Sequence, residues 1–443
     1  MRIHAAAALL PGGWAENVGI DVADAQIAAV HPDCAPRSGD TRVGALVPGM
    51  PNLHSHSFQR GFAGLTEHRG PGQDSFWTWR EMMYRFALQL DPDEVEAIAA
   101  LACVEMLEAG FTRLGEFHYL HHAPDGRPYD DPAELSQRIF NAAEATGIAL
   151  THLPVFYAHG GFGGAPAGEG QRRFLHDLDA FDRLMEACAA RLTRPQDRLG
   201  LAPHSLRAAT LEEIRRLATA WPDRPLHIHI AEQLREVVEC LAHSGARPVD
   251  WLLGEAPVAP DWCLIHATHL TGAEVAGIVA SGAVAGLCPI TEANLGDGIF
   301  PADDFLTAGG MFGIGTDSNV AISVAQELRM LEYSQRLAHH GRNICTQAGS
   351  TGLSLFRGAL TGGARALAAP DPEIAAGAPA DLVALHDPLD LSQPGTLLDR
   401  WIFGSGIEVA DVWAAGIHLV HDGRHRDRQR FRQEAAKALS RLT

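Results

Sequence analysis

Between Leu46 and about Leu367, short apolar runs that end in a polar or charged side chain alternate with longer amphipathic stretches. Short, continuously apolar runs read as strands buried on both faces, and the longer amphipathic stretches read as helices. The strand-type runs are Ala45 to His56, Phe111 to His118, Ala149 to Tyr157, Leu199 to His204, Leu226 to Ala231, Trp262 to His266, Ala283 to Pro289, and Gly310 to Asp317. Eight such strand–helix units predict an α/β fold, a (β/α)8 TIM-like barrel, whose active site lies at the C-terminal strand ends. The polar exit of every run falls at that end.

The flanks follow a different period. Asn17–Val22 and Gln26–Val30 are short and strand-like, and the segment Pro32–Asp40 is rich in turn residues. After about Pro370 the β-type pattern returns in Ala378–Leu385 and Val409–His421. Residues 1–46 plus 371–423 are therefore expected to build one small composite β-sandwich domain from both termini, around a barrel spanning 47–370. Residues 424–443 are expected to form a charged, solvated helix.

Charge narrows the partners. With 35 basic and 54 acidic residues the formal net charge is −19, so the basic footprint that nucleic acid or an anionic membrane requires is missing. Seven scattered cysteines without a Cys-X-X-Cys pair indicate neither a disulfide framework nor a cysteine zinc knuckle. The N-terminus has only a brief apolar run, and no apolar stretch of about 18 residues occurs, so a cytoplasmic enzyme is expected. Lys437 is the sole lysine, which removes almost every route to lysine chemistry such as Schiff-base formation.

The strand exits carry metal-ligand chemistry. His54 and His56 stand two apart, so on a strand both imidazoles point to one side and can converge on a cation. With 23 histidines in the chain, one such pair alone is weak. In His227-Ile-His229-Ile-Ala-Glu232 both histidines face inward; His229, nearer the mouth, suits a ligand, and His227 suits a hydrogen-bonded interior role. His266 ends the sixth run and Asp317 the eighth. Asp317 is alternatively an N-cap for a helix starting near Val320, although Ser318 or Asn319 would serve equally.

Taken together, His-X-His, His-X-X-Glu, His and Asp at the exits of runs one, five, six and eight resemble the amidohydrolase superfamily. The resemblance implies that His54, His56, His229 and Asp317 hold one catalytic divalent metal, with zinc expected, and that Glu232 and His266 move protons. Three neutral imidazoles and a carboxylate leave a position for water, whose pKa a metal lowers towards neutrality; iron and manganese also accept such donors. Members with two metals bridged by a carbamylated lysine are excluded by the position of Lys437. The other zinc deaminase signature and a His-Glu-X-X-His helix are absent.

Loop segments narrow the resemblance. Phe58-Gln59-Arg60-Gly61-Phe62, Trp77 to Tyr84, Gly115 to His121, Ala202 to Ala208, His229 to Gln233 and Cys288 to Asp297 resemble the formimidoylglutamate deiminase family over essentially the whole chain. Thr291-Glu292-Ala293-Asn294 departs from the Cys-Pro-X-Ser-Asn type of segment usual in nucleoside, guanine and triazine members. The resemblance implies deimination of N-formimino-L-glutamate to N-formyl-L-glutamate and ammonia, a step of histidine degradation, by a homodimer. A small dicarboxylate substrate needs cationic forks, which arginine supplies bidentately. Arg80 and Arg207 take that role, with Gln59, Tyr119 and His204 as further donors; Arg80 alternatively is a surface residue on an aromatic helix. Two rival readings are another mononuclear deaminase of the superfamily, acting on a purine, pterin or guanidino compound, and a non-catalytic metal-binding barrel. The joint presence of Glu232 and His266 argues against the second.

Overall fold

The structure is a computed structural model that describes residues 1–72, 74–389 and 393–442. Residues 73, 390–392 and 443, which fall in the spans expected as barrel, small domain and C-terminal helix, lie outside the described residues.

Eight parallel strand positions form the barrel. Met50–Ser55, Phe111–His118 and Ala149–Phe156 pair in order, and the fourth position is split into Arg198–Leu199 and Ala202–Pro203, both on Ala149–Phe156. Leu226–Ile230, Trp262–His266, Val284–Leu287 and Met311–Ile314 continue the ring. Single bridges close it: Leu201 with Leu226, Ser205 with His229, and Ser55 with Asp317. These strands are buried along nearly their whole length, which is why they read as unbroken apolar runs rather than alternating ones. Capping boxes at Asp91/Glu94, Thr210/Glu213 and Thr271/Glu274 start three of the outer helices by satisfying end N–H groups reciprocally.

Both termini build the second sheet. Thr41–Pro48 lies at its centre, parallel to Arg2–Leu10 and antiparallel to Leu382–His386. Ile3, Ile20, Leu46, Leu382 and Trp413 fill its core. The fold is thus a (β/α)8 barrel with a small β-sandwich-like domain contributed by both ends of the chain.

Three local expectations are corrected. The run Ala45 to His56 is two strands, broken at Gly49. There the backbone changes partner, with Gly49 N–H donating to Asp381 O at 2.9 Å and Met50 N–H to Gly110 O at 3.1 Å; a Cβ on Gly49 would overlap the Thr112 side chain. The span 371–423 is not all sheet, because Pro394–Phe403 is a helix. Proline at its start and buried Leu397, Leu398, Trp401 and Ile402 supply the helical pattern. The C-terminal helix is Arg428–Leu439, while Arg424–His425 forms a strand against Val420–His421. The Asp422-Gly423 turn, with φ 48° and 72°, is a hairpin signal. That helix also buries Phe431, Ala435 and Ala438 and packs on Pro92–Glu108, so it is only partly solvated. Among the described residues no helix is long and apolar enough to cross a membrane.

His118, His121, His152 and His176 are buried beside the second and third barrel strands, and burial pushes all four imidazoles down, His118 and His176 to about 3. A histidine with a lowered folded pKa binds protons more readily when unfolded, so stability present above pH 6.5 is lost as the pH falls towards about 3. The thermal midpoint is therefore expected to fall between pH 7 and pH 5, above the range of ordinary carboxylates, in metal-loaded and metal-free protein alike. A midpoint flat across that interval would contradict the burial of neutral histidines.

Candidate active site

His54 is the penultimate residue of the first barrel strand and His56 lies just past its end, both buried. The ring N–H of His56 Nδ1 donates to Phe117 O at 2.9 Å, and that of His229 Nδ1 donates to His204 O at 3.0 Å. Each bond leaves the Nε2 lone pair aimed inward. His54 Nε2 and His229 Nε2 stand 3.1 Å apart, and Asp317 Oδ1 lies 3.6 Å from His54 Nε2 and 3.3 Å from His56 Nε2. Burial and neighbouring imidazoles push His54 and His229 well down, and His56 to about 3. Neutral imidazoles and one carboxylate converging in this way fit a divalent ion. One ligand atom from each of His54, His56 and His229, and likewise from each of His54, His266 and Asp317, lies within 4.8 Å of the others. Lys437 sits on the C-terminal helix and lines a surface groove with Asp93 and Glu96, outside the cavity of these residues.

Asp317 is aimed by its backbone. Its N–H and that of Thr316 both donate to His54 O at 3.0 Å, and His56 N–H donates to Asp317 O at 2.9 Å, with Asp317 at φ 44°. Asn319 Nδ2 donates to Ser55 Oγ, His56 O and Asp317 O, and Asn52 clasps Thr316 through both side-chain atoms. The next helix is Val324–His339, capped by Ser323, so neither Asp317 nor its neighbours cap a helix near Val320. Sequence reading missed this Asn52–Thr316–Asn319 lattice; the available signal was two amides flanking ligand positions.

His266 Nδ1–H donates to Glu292 Oε1 at 3.2 Å, and the same oxygen accepts Cys288 N–H at 2.9 Å. His266 Nε2 lies 3.9 Å from both Glu232 Oε1 and Asp317 Oδ2. Burial would lower this imidazole, but Glu232, Glu292 and Asp317 outweigh it and lift it to about 10. Burial raises the Glu232 carboxyl to about 7, against the pull of His266 and Arg207. His227 is an interior histidine, donating from Nε2 to Ala366 O at 2.7 Å. Glu292 was not singled out as functional from sequence, although it stands in the segment that departs from other deaminases.

One cavity joins His56, His229, Glu232, His266 and Asp317 to Gln59, Arg80, Tyr119, His204 and Arg207. Arg80, on the helix Phe76–Ala87, stacks over Trp77 at 4.5 Å and Tyr84 at 5.5 Å, and Arg207 lies 5.9 Å from the Trp77 ring. Both guanidinium groups leave a buried Nε–H without a partner. Arg80 is thus a cavity residue, not a surface one. Gln59 Nε2 donates to Tyr119 Oη at 2.6 Å and leaves its Oε1 unpaired, while His204 packs between Tyr157 and His229.

A model of the Amidohydrolase family matches residues 45–416. This chain belongs to the amidohydrolase family. Its first 44 residues match a second model, the N-terminal domain of formimidoylglutamate deiminase HutF. A formimidoylglutamate deiminase of Pseudomonas aeruginosa is 51% identical over 99% of both chains, which places this member in the formimidoylglutamate deiminase branch. A crystal structure of an amidohydrolase from Brucella melitensis shares 52% identity and a TM-score of 0.98, covering 100% of this chain and 99% of that one. An adenosine deaminase from Xanthomonas campestris with bound zinc gives a TM-score of 0.82 at 22% identity over 100% and 98% of the two chains, a likeness of fold alone.

In this amidohydrolase the bond from His266 to Glu292 fixes both tautomer and ring orientation. Glu292→Gln is expected to keep the metal content and lower kcat by about 10- to 100-fold. A wild-type kcat in the purified variant would remove Glu292 from the positioning of His266.

Proposed function

We propose that this chain hydrolyses N-formimino-L-glutamate to N-formyl-L-glutamate and ammonia, with one zinc ion held by His54, His56, His229 and Asp317. The observation that carries the substrate assignment is the pair of buried, partnerless Nε–H groups on Arg80 and Arg207 in the cavity that also holds the histidine cluster, although Arg207 Nη2 also lies 3.8 Å from Glu236. An unpaired buried charged donor is costly. Two carboxylates on one substrate satisfy both. Identity of 51% over the whole length to a formimidoylglutamate deiminase supports the same reading.

An ion in the cluster supplies Lewis acidity, which makes water nucleophilic at neutral pH. The chain's residues do the rest. Arg80 and Arg207 anchor the carboxylates, with Gln59, Tyr119 and His204 as donors around the chain of the substrate. Water adds to the formimino carbon while His266 and Glu232 handle its proton, and Glu232 delivers a proton to the imino nitrogen. The hydroxyl proton of the tetrahedral species then passes through the same two groups to that nitrogen, so the carbon–nitrogen bond breaks, releasing ammonia and leaving the formyl oxygen. Burial that holds Glu232 near pH 7 suits a group that both takes and gives a proton.

Ammonia release measured with N-formimino-L-glutamate, guanine and adenosine tests the assignment: turnover of the first alone is expected, and turnover of a purine in its place would favour another deaminase. Glu232→Gln should retain the metal and lose kcat by about 100-fold or more, whereas unimpaired turnover would take Glu232 out of the proton transfer. Arg207→Met should mainly raise KM, and an unchanged kcat/KM would take Arg207 out of the substrate site.

We also assign a cytoplasmic homodimer. Seven free cysteines, six of them buried, support a reducing compartment. Exposed Leu234, Val238 and Leu241 along one helix support self-association, and light scattering that returned a monomer would reject it.

A further inference from the structure

The terminal sheet carries histidines that the barrel chemistry does not use. Glu408–Ala414 pairs antiparallel with Ile417–His421, and its register slips: Val412 faces Val420, but Trp413 faces His418. Leu419 therefore has no opposite number, which is a bulge. In a regular strand His418 and His421, three apart, would point to opposite faces; the bulge turns them to one side. Asp411, two residues before Trp413, shares that side and comes level with His421.

The side chains meet accordingly. His418 Nε2–H donates to Asp411 Oδ1 at 2.8 Å, the His418 ring stacks on buried Trp413 at 4.2 Å and 18°, and the centroids of His418 and His421 are 3.6 Å apart. One ligand atom from each of Asp411, His418 and His421 lies within 4.8 Å of the other two. His421 is exposed and the other two are half-buried, so an ion from solvent reaches them without opening the fold.

We propose that Asp411, His418 and His421 form a second metal site, taking a divalent transition ion of the zinc, nickel or copper class. Two imidazoles and one carboxylate are the donors such ions prefer, whereas calcium and magnesium favour oxygen alone. The stack on Trp413 holds His418 in place before binding, and solvent fills the remaining coordination positions. The net charge of −19 raises the local cation concentration. Bound there, the ion ties the two strands together at the bulge, independently of the barrel chemistry.

The test starts from protein carrying one equivalent of zinc in the barrel, dialysed against increasing zinc, with bound metal counted by elemental analysis. Wild type is expected to take up a second equivalent, and His421→Ala and Asp411→Asn to bind it at least about 10-fold more weakly with wild-type ammonia release. The second equivalent should raise the thermal midpoint of wild type but not of His421→Ala. Asp317→Asn should lose the first equivalent and keep the second, so failure of the barrel assignment is separable from failure of this one. Saturation at one equivalent in wild type, or unchanged second-site affinity in His421→Ala, would reduce the cluster to a hydrogen-bonded Asp411–His418 pair and overturn the proposal.

Discussion

The site depends on how the barrel closes. The first and last strands meet through one bridge, Ser55 to Asp317, and through the amide bonds that Thr316 and Asp317 give to His54 O. That seam sets His54, His56 and Asp317 against one another before any ion arrives. The side-chain lattice of Asn52, Thr316 and Asn319 is fully buried, where each hydrogen bond is strong and each missing one costly. Closure of the fold brings the proposed ligands His54, His56 and Asp317 together.

A second constraint is electrostatic. Glu232, Glu292, Asp297 and Asp317 crowd around His266, and Asp297 is pushed up to about 10 by burial and by Glu232. So many buried carboxyls cannot all be ionised without cations nearby. His266, whose imidazole these carboxyls push up, Arg207, which pulls Glu232 down, and a metal ion all answer that need. An anionic substrate therefore enters a cavity whose acidic groups are already offset, and which Arg80 and Arg207 also line.

Much of this was legible in the chain. Each proposed ligand and proton carrier stands where an apolar run ends, and a buried strand makes that boundary sharp: Leu226 to Ile230 is apolar except for the inward histidines, then Glu232 follows. Arginines were readable by chemistry, since an acidic chain that binds a dianion must spend them locally. What stayed hidden is long-range. Asn319 bonds to Ser55 across 264 positions, Glu292 reaches back 26 residues to His266, and neither carries a periodic signal. The change of sheet at Gly49 was masked because both strands are apolar. The helix Pro394–Phe403 and the Asp422-Gly423 hairpin did carry local signals, a helix-starting proline and a turn dipeptide, but their surroundings pointed to other elements.

In the proposed reaction one cavity joins a metal-activated hydrolysis to recognition of two carboxylates. The most direct measurement compares ammonia release from N-formimino-L-glutamate with that from N-formiminoglycine, which has the same reacting group and one carboxylate fewer. Leaving one of the two half-buried arginines without a substrate carboxylate should lower kcat/KM by at least about 100-fold. Equal kcat/KM for the two substrates would contradict the account, because the arginines would then have no part in choosing the substrate.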